Sequence, residues 1–188
     1  SMAFRPLISV ITPAYGVADD VARQMVQSIL AQIYPNWELC IAHADPLRVE
    51  DREHLRQMMA ADPRIKVQFL DRNHGIAENS NFAMSMATGE FMAFVDYDDA
   101  IEPDALFRMV ARLNKDPDLD FLYSDKDQIL SDRDERLLPL LKPDWSPDSV
   151  LSAAYPVHLH LIRTSLMLEL GGLRSETDGA QDWDLFLR

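Results

Sequence analysis

The chain has 188 residues, of which 47% are hydrophobic and 26% are charged, and its formal net charge is −13. This balance is typical of a globular domain with a sizeable core. The excess of acid argues against nucleic acid as a partner, because phosphate backbones are bound by clustered lysine and arginine. An acidic chain can still bind a phosphorylated small molecule when a divalent cation lies between the charges.

Apolar runs and helical patterns alternate along the first two thirds of the chain. The predicted strands are 7–12, 37–42, 65–70, 91–95 and 120–124. The predicted helices are 18–33, 48–61, 76–88 and a segment from Pro103 to Leu113. This order predicts an α/β fold with a mostly parallel central sheet and helices on both faces. In such sheets, ligands bind beyond the carboxyl ends of the strands.

The pattern changes after residue 124. The charged segment 125–138 predicts a mobile loop or a hairpin, and 158–163 alternates as a strand does. Short helices are predicted within 142–151, at 164–170 and at 180–188. We expect one domain over 1–188 with two functional halves, 1–124 and 125–188. The chain stops in mid-pattern at QDWDLFLR, so we expect it to be a piece of a longer protein.

The single cysteine, Cys40, lies in the apolar run WELCIA. One thiol cannot form an internal disulfide, so we expect a reducing compartment and a buried strand residue. There is no apolar run long enough to span a membrane, and we expect no signal peptide. We therefore expect a cytoplasmic protein, with membrane association at most peripheral, at the inner face and through missing segments.

Three carboxylates, Asp96, Asp98 and Asp99, directly follow the apolar run FMAFV. In an extended chain, Asp96 and Asp98 lie on the same side. Like charges this close repel each other unless a cation intervenes. A few oxygen ligands suit Mg²⁺ or Mn²⁺, which keep other positions for water and phosphate. The alternative is a solvated acidic turn with a cap for the next helix, which would be enough to explain Asp99.

Several segments in series resemble the family 2 glycosyltransferases, and especially their bacterial surface-polysaccharide members. They are ISVITPAYG, WELCIA, NHGIAENSNFAMSMATGEFMAFVDYDDAIEPDAL, YSDKDQI, KPDWSPDSVLSAAYPVHLHLIR, GGLR and GAQDWDLFLR. The resemblance implies the GT-A fold and an inverting transfer from a nucleotide-diphosphate sugar, with a UDP-sugar favoured. The implied acceptor is a saccharide or a lipid-linked saccharide.

The same resemblance implies roles for particular residues. Asp98 would hold the divalent metal on the diphosphate, where negative charge grows as the sugar bond breaks. Asp96 would contact the donor ribose or sugar. His158 matches a family histidine that could face the metal, although a strand histidine with a satisfied hydrogen bond is an equal alternative.

Other positions are implied to bind the donor. Pro13, Ala14 and Tyr15 would line the nucleotide base. Asn81 matches the family's asparagine in the segment packed beneath the nucleotide. Arg72 and Asn73 lie just before that segment, at the end of the third predicted strand.

One departure from the family pattern concerns the end of the second strand. The family usually has a pair of aspartates there, one of which contacts the base, whereas this chain has His43 and Ala44. Asp45 could serve if the loop shifts register, since a uracil N–H needs an acceptor. Otherwise the nucleotide preference is open or the site is weakened. The alternative for His43 is a surface loop residue.

The general base is the last implied role. Asp182 in GAQDWDLFLR matches the family's catalytic aspartate, and Asp184 is the neighbouring candidate. Residues i and i+2 of a helix point apart, so only one should face the site. Trp183 between them would stack on the acceptor or pack in the core.

Two other functions compete with sugar transfer. A sugar-phosphate nucleotidyltransferase would carry a glycine-rich, lysine-containing loop after the first strand, and PAYGVADD has neither feature. A degenerate, non-catalytic nucleotide- or sugar-binding module is favoured by His43 and Ala44. The intact Asp96, Asp98 and Asp182 count against it.

Overall fold

The computed structural model describes residues 2–130 and 135–188. The strands are β1 (Ile8–Ala14), β2 (Trp37–His43), β3 (Ile65–Phe69), β4 (Phe91–Phe94), β5 (Phe121–Tyr123), β6 (Lys126–Leu130), β7 (Glu135–Leu140) and β8 (His160–Arg163). The helices are α1 (Asp19–Leu30), α2 (Val49–Ala61), α3 (Ile76–Ser85), α4 (Ala105–Lys115), α5 (Pro147–Val150), α6 (Thr164–Glu169) and α7 (Gln181–Leu187).

Six strands form the central sheet, in the order β3-β2-β1-β4-β8-β5. Strands β1 to β4 are parallel to one another, whereas β8 runs antiparallel to both β4 and β5. The predicted α/β fold with a mostly parallel sheet is therefore confirmed. We call the edge at which β1 to β4 end the carboxyl edge.

Helices cover both faces of the sheet, as predicted. Alternate residues of β2 face opposite sides, so Leu39 packs in one core cluster and Cys40 in the other. The first cluster is covered by α1, α2 and α4, and the second by α3, α6 and α7. Cys40 is the buried strand residue that was predicted, and burial raises the pKa of its thiol to about 12.

Several predicted boundaries differ from the structure, by up to three residues. Helix α1 ends at Leu30 rather than at residue 33, and Ile33 is 60% exposed. Strand β1 continues through Pro13 to Ala14, because β2 offers pairing partners as far as His43. Strand β8 begins at His160, two residues later than predicted.

The charged segment after residue 124 forms a hairpin. Strands β6 and β7 pair antiparallel in a separate two-stranded sheet, which confirms the hairpin alternative. Residues 131–134 of the predicted segment lie outside the described residues. None of the helices within the described ranges is both long and apolar enough to cross a membrane.

The position of β8 matters most for the site. This strand comes from the second half of the sequence but lies between β4 and β5, with His160 opposite Phe94. Because β8 is antiparallel to β4, it enters the sheet at the edge where β4 leaves it. The residues just before β8 therefore meet the acidic residues just after β4.

Candidate active site

The acidic residues after β4 form a turn. Strand β4 ends at Phe94, Tyr97 and Asp98 occupy the turn, and the Asp99 amide donates to the Asp96 carbonyl at 3.1 Å. The expectation of an extended chain through Asp96 and Asp98 is wrong. The side chain of Tyr97 is buried in the core, where its hydroxyl donates a hydrogen bond to Asp51. This inward orientation of Tyr97 turns the backbone and leaves Asp98 exposed.

His158 lies against this turn. Its Nδ1 atom is 3.0 Å from Oδ2 of Asp99 and 3.5 Å from Oδ2 of Asp96. Among the described residues, Asp96, Asp99 and His158 form a group whose ligand atoms could hold one metal ion. The interpretation of Asp99 as a helix cap is wrong, because the N-cap position of α4 is occupied by Asp104. The metal role of Asp98 stays a prediction.

The charges of the turn shift the pKa values of its members. Burial raises the pKa of Asp96 to about 6, and the carboxylates of Asp99, Asp182 and Asp98 add to the effect while His158 opposes it. The pKa of His158 is raised, mainly by its hydrogen bond with Asp99. The His158 shift shows that the neighbouring carboxylates favour a cation here.

Asp182, at the start of α7, reaches the same place. A small cavity is lined by apolar neighbours and by Pro13, Ser80, Asp96, His158, His160, Gln181 and Asp182. The side-chain amide of Gln181 donates through Nε2 to Oδ2 of Asp182 at 3.3 Å. Burial raises the pKa of the Asp182 carboxyl. The structure thus brings the predicted base beside the acidic turn.

Asp184 points away from the cavity, as expected for residues i and i+2. Its carboxylate pairs with Arg174 and lies 3.1 Å from Nε of Arg188. The indole N–H of Trp183 donates to the Val150 carbonyl, which joins α7 to α5. Of the two candidate bases, only Asp182 faces the acidic turn.

The segment that carries Asp182 is clamped to α3. The Asn81 side chain donates to the Leu173 carbonyl at 2.8 Å and accepts from the Leu173 amide at 3.0 Å. Asp178 accepts from the Ala77 amide at the start of α3 at 2.9 Å. A Cβ on Gly75 would lie 1.9 Å from Oδ2 of Asp178, so the clamp needs glycine there. Asn81 binds the backbone here, and its predicted role near the nucleotide stays a prediction.

The predicted donor-binding residues lie along the carboxyl edge but are spread out. Ala14 is fully buried in β1, whereas Tyr15 is 53% exposed. Asp45 follows β2 and accepts from the Leu47 amide at 3.3 Å. Arg72 and Asn73 are exposed after β3. Of these predicted donor-binding residues, only Pro13 and Asp96 line the cavity that Asp182 also lines, and the donor-binding roles stay predictions.

A sequence profile of glycosyl transferase family 2 matches residues 9–144. The chain belongs to this family. The resemblance drawn from the sequence motifs is therefore confirmed, and it extends beyond any single acidic motif. The match includes β1, the acidic turn and both strands of the hairpin.

Known proteins similar to the chain agree with the family. The O-antigen biosynthesis protein RfbC of Myxococcus xanthus is 32% identical over 98% of the chain, which spans only 14% of that protein. The mannosyltransferase PcManGT of Pyrobaculum calidifontis, in complex with GDP-Man and Mn²⁺, superposes with a TM-score of 0.71 at 20% identity. The chain covers 51% of that structure, and 96% of the chain is matched.

A second solved structure has the same fold. The S. aureus TarS fragment 1–349, in complex with UDP-GlcNAc, has a TM-score of 0.72 at 20% identity. The match covers 94% of the chain and 51% of TarS 1–349. At this identity the two structures establish the shared fold.

At His43 the chain departs from the usual pattern of family 2. The structure shows which residues His43 contacts. His43 is 1% exposed, and its Nε2 lies 2.9 Å from Oδ2 of Asp51. Arg52 donates to its Nδ1 at 3.3 Å, and the Tyr97 hydroxyl donates to Asp51 at 3.1 Å. The surface-loop alternative for His43 is therefore wrong.

Sequence reasoning missed Asp51 and Tyr97. A signal for Asp51 was present, because it lies one helical turn before the buried Leu55 on the same face of α2. A carboxylate on an apolar helix face needs a buried partner. Tyr97 carried no such local signal, since its partner lies on a different element.

Proposed function

We propose that this domain binds a nucleotide-diphosphate sugar and transfers the sugar, with inversion, to a hydroxyl acceptor during cell-surface polysaccharide synthesis. The observation that carries the proposal is the meeting of Asp96, His158 and Asp182 on one cavity at the carboxyl edge. Family membership supports the reaction class, and the O-antigen biosynthesis relative supports the polysaccharide context.

The acidic turn fits a divalent metal. Two carboxylates and one imidazole, from Asp96, Asp99 and His158, offer the donors that Mg²⁺ and Mn²⁺ accept, and the PcManGT structure contains Mn²⁺. Asp98 lies in the same turn and keeps its predicted role as a ligand. When bound, such an ion would offset the charge that grows on the leaving diphosphate.

Asp182 would take the proton from the acceptor hydroxyl. A buried carboxylate with a raised pKa is a stronger base than an exposed one, and the Gln181 amide orients it. The acceptor oxygen would attack the anomeric carbon opposite the diphosphate, which leaves as the nucleoside diphosphate. Asp96 also lines an open cavity of about 1000 Å³ beside the acidic turn, and there it would contact the donor ribose or sugar.

The substrates follow from the family and from solved relatives. We infer a UDP-sugar as the favoured donor and a saccharide or lipid-linked saccharide as the acceptor. UDP-GlcNAc and GDP-Man are bound by the two solved proteins of the same fold. A cytoplasmic location, with peripheral contact to the inner face of the membrane, fits such an acceptor.

The test measures nucleoside diphosphate release from UDP-Glc, UDP-GlcNAc and GDP-Man with Mn²⁺, with water as the hydroxyl acceptor. We expect one donor to be turned over, and Asp182→Asn to lower the rate by about 10²–10⁴-fold because the proton acceptor is lost. Asp184→Asn is the matched control on the same helix and should stay within about threefold of wild type.

Two outcomes would contradict the proposal. Equal rates for Asp182→Asn and the wild-type protein would remove the proposed base. Metal-independent binding of a nucleotide without turnover of any donor would favour the non-catalytic module, to which the locked His43 lends some support.

A further inference from the structure

His160, the first residue of β8, is a buried polar side chain that the proposed reaction has not used. It is 3% exposed, and its ring stacks on Phe94 with centroids 4.9 Å apart and planes 14° apart. The ring of Phe186 meets it edge-on at 5.3 Å. Aromatic neighbours thus fix the plane of the imidazole on two sides.

Neither ring nitrogen of His160 has a hydrogen-bond partner within the part of the chain that the structure describes. Buried polar atoms in folded proteins are nearly always paired with protein atoms or with ordered water. A phenylalanine would fill this aromatic site at no such cost. The imidazole therefore needs a hydrogen-bond partner other than the side chains already named.

The cavity beside His160 has room for that partner. It has a free volume of about 10 Å³, close to what one water molecule needs. Its polar walls are His160, Asp182, Gln181, Asp96, His158 and Ser80. A buried water makes about three hydrogen bonds to otherwise unsatisfied groups, and these walls supply them.

We propose that His160 is a positioning residue for Asp182, acting through one buried water that bridges its imidazole to the Asp182 carboxylate. The inference rests on the proposed function, because it assigns Asp182 the role of base. Gln181 already donates to Oδ2 of Asp182, so the water adds a second anchor to the same carboxylate. Two anchors hold the carboxylate toward the acceptor hydroxyl.

The test replaces His160 with phenylalanine, which keeps the aromatic packing and removes both nitrogens. Nucleoside diphosphate release is measured with the best of UDP-Glc, UDP-GlcNAc and GDP-Man. We expect kcat to fall about tenfold with an unchanged donor KM, because only the orientation of the base is lost. Tm should stay close to that of the wild-type protein, because phenylalanine keeps the aromatic contacts of the imidazole ring.

Phe121→Leu is the matched control. The ring centroids of Phe121 and His160 are 5.9 Å apart, and Phe121 contributes no polar atom. An unchanged kcat in His160→Phe would overturn the proposal, and so would an equal loss in Phe121→Leu. If Asp182→Asn is inactive while His160→Phe is normal, only this inference fails. If Asp182→Asn is fully active, the proposed function fails as well.

A crystal structure of the wild-type protein decides the matter if His160→Phe does not fold or if no donor is turned over. An ordered water within hydrogen-bond distance of both a His160 ring nitrogen and a Asp182 carboxylate oxygen supports the bridge. A dry cavity, or a water that contacts neither group, overturns it.

Discussion

Two buried histidines near the carboxyl edge of the sheet have opposite surroundings. His43, at the end of β2, has a hydrogen-bond partner at each ring nitrogen, whereas His160 has none among the described residues. A fully paired buried network makes a structure rigid, whereas an unpaired buried group needs a water, an ion or a catalytic role to account for it. The His43 region is therefore structural, and His160 lines the cavity that Asp182 also lines.

The paired region also supports the unpaired one. Tyr97, whose hydroxyl donates to Asp51 in the His43 network, lies inside the acidic turn between Asp96 and Asp98. The network thereby sets the shape of the turn that faces His158. Four predictions separate the two regions.

The largest expected effect is on folding, from Asp51→Ala. The Nε2–H of His43 and the Tyr97 hydroxyl would both lose their acceptor inside the core. We expect the free energy of unfolding to fall by about 3 kcal/mol, measured by urea denaturation. Tyr97→Phe, which removes one donor, should cost about 1 kcal/mol. A loss of less than about 1 kcal/mol in Asp51→Ala would show that the network is not structural.

The second prediction concerns Asp96→Asn. We expect the Mn²⁺-dependent affinity for the nucleoside diphosphate to fall about 100-fold, because a carboxylate of the metal group is lost. Calorimetric titration measures the Kd. Asp116→Asn, at the end of α4, is the control and should bind as the wild-type protein does. An unchanged Kd for Asp96→Asn would place the metal elsewhere.

His158→Ala should have a smaller effect of the same kind. The imidazole is one of three ligand candidates, and its loss leaves both carboxylates in place. We expect the affinity for the nucleotide with Mn²⁺ to fall about tenfold. His54→Ala on α2 serves as the control. If His158→Ala alters only the free energy of unfolding, the histidine belongs with the structural group.

The last prediction is a pH dependence of the metal-free protein. The pKa of Asp96 rises from 3.8 to about 6 on folding, so the folded chain binds its proton more tightly than the unfolded chain. Acidification from about pH 6 to pH 4 should therefore stabilise wild type relative to Asp96→Asn, and the gain disappears as pH rises through 6. Urea unfolding in EDTA measures the difference. A difference independent of pH would contradict the shift.

Local patterns of the sequence predicted much of the fold. The alternation of β-rich and helical segments predicted the parallel strands β1 to β4 and the helices on both faces. It could do so because hydrophobic periodicity, and the residues that end helices and strands, are local properties of the sequence. They did not predict that β8 lies between β4 and β5. That pairing joins segments far apart in the chain, and no local signal specifies it.

The candidate site was predicted in its residue types more than in its geometry. Motif resemblance selected Asp96, His158 and Asp182, which the structure brings to one cavity. The participation of Asp99 was missed because the extended-chain argument ignored the burial of Tyr97. The contact of Asn81 with Leu173, 92 residues away, also lies beyond any local pattern.

The central claim is that the acidic turn binds a metal together with the donor nucleotide. Calorimetric titration of the protein with UDP, GDP and dTDP, each with Mn²⁺ and with EDTA, tests it most directly. We predict that one nucleotide, with UDP favoured, binds in Mn²⁺ and loses its binding in EDTA. Equal binding in Mn²⁺ and EDTA, or no binding of any of them, would contradict the claim.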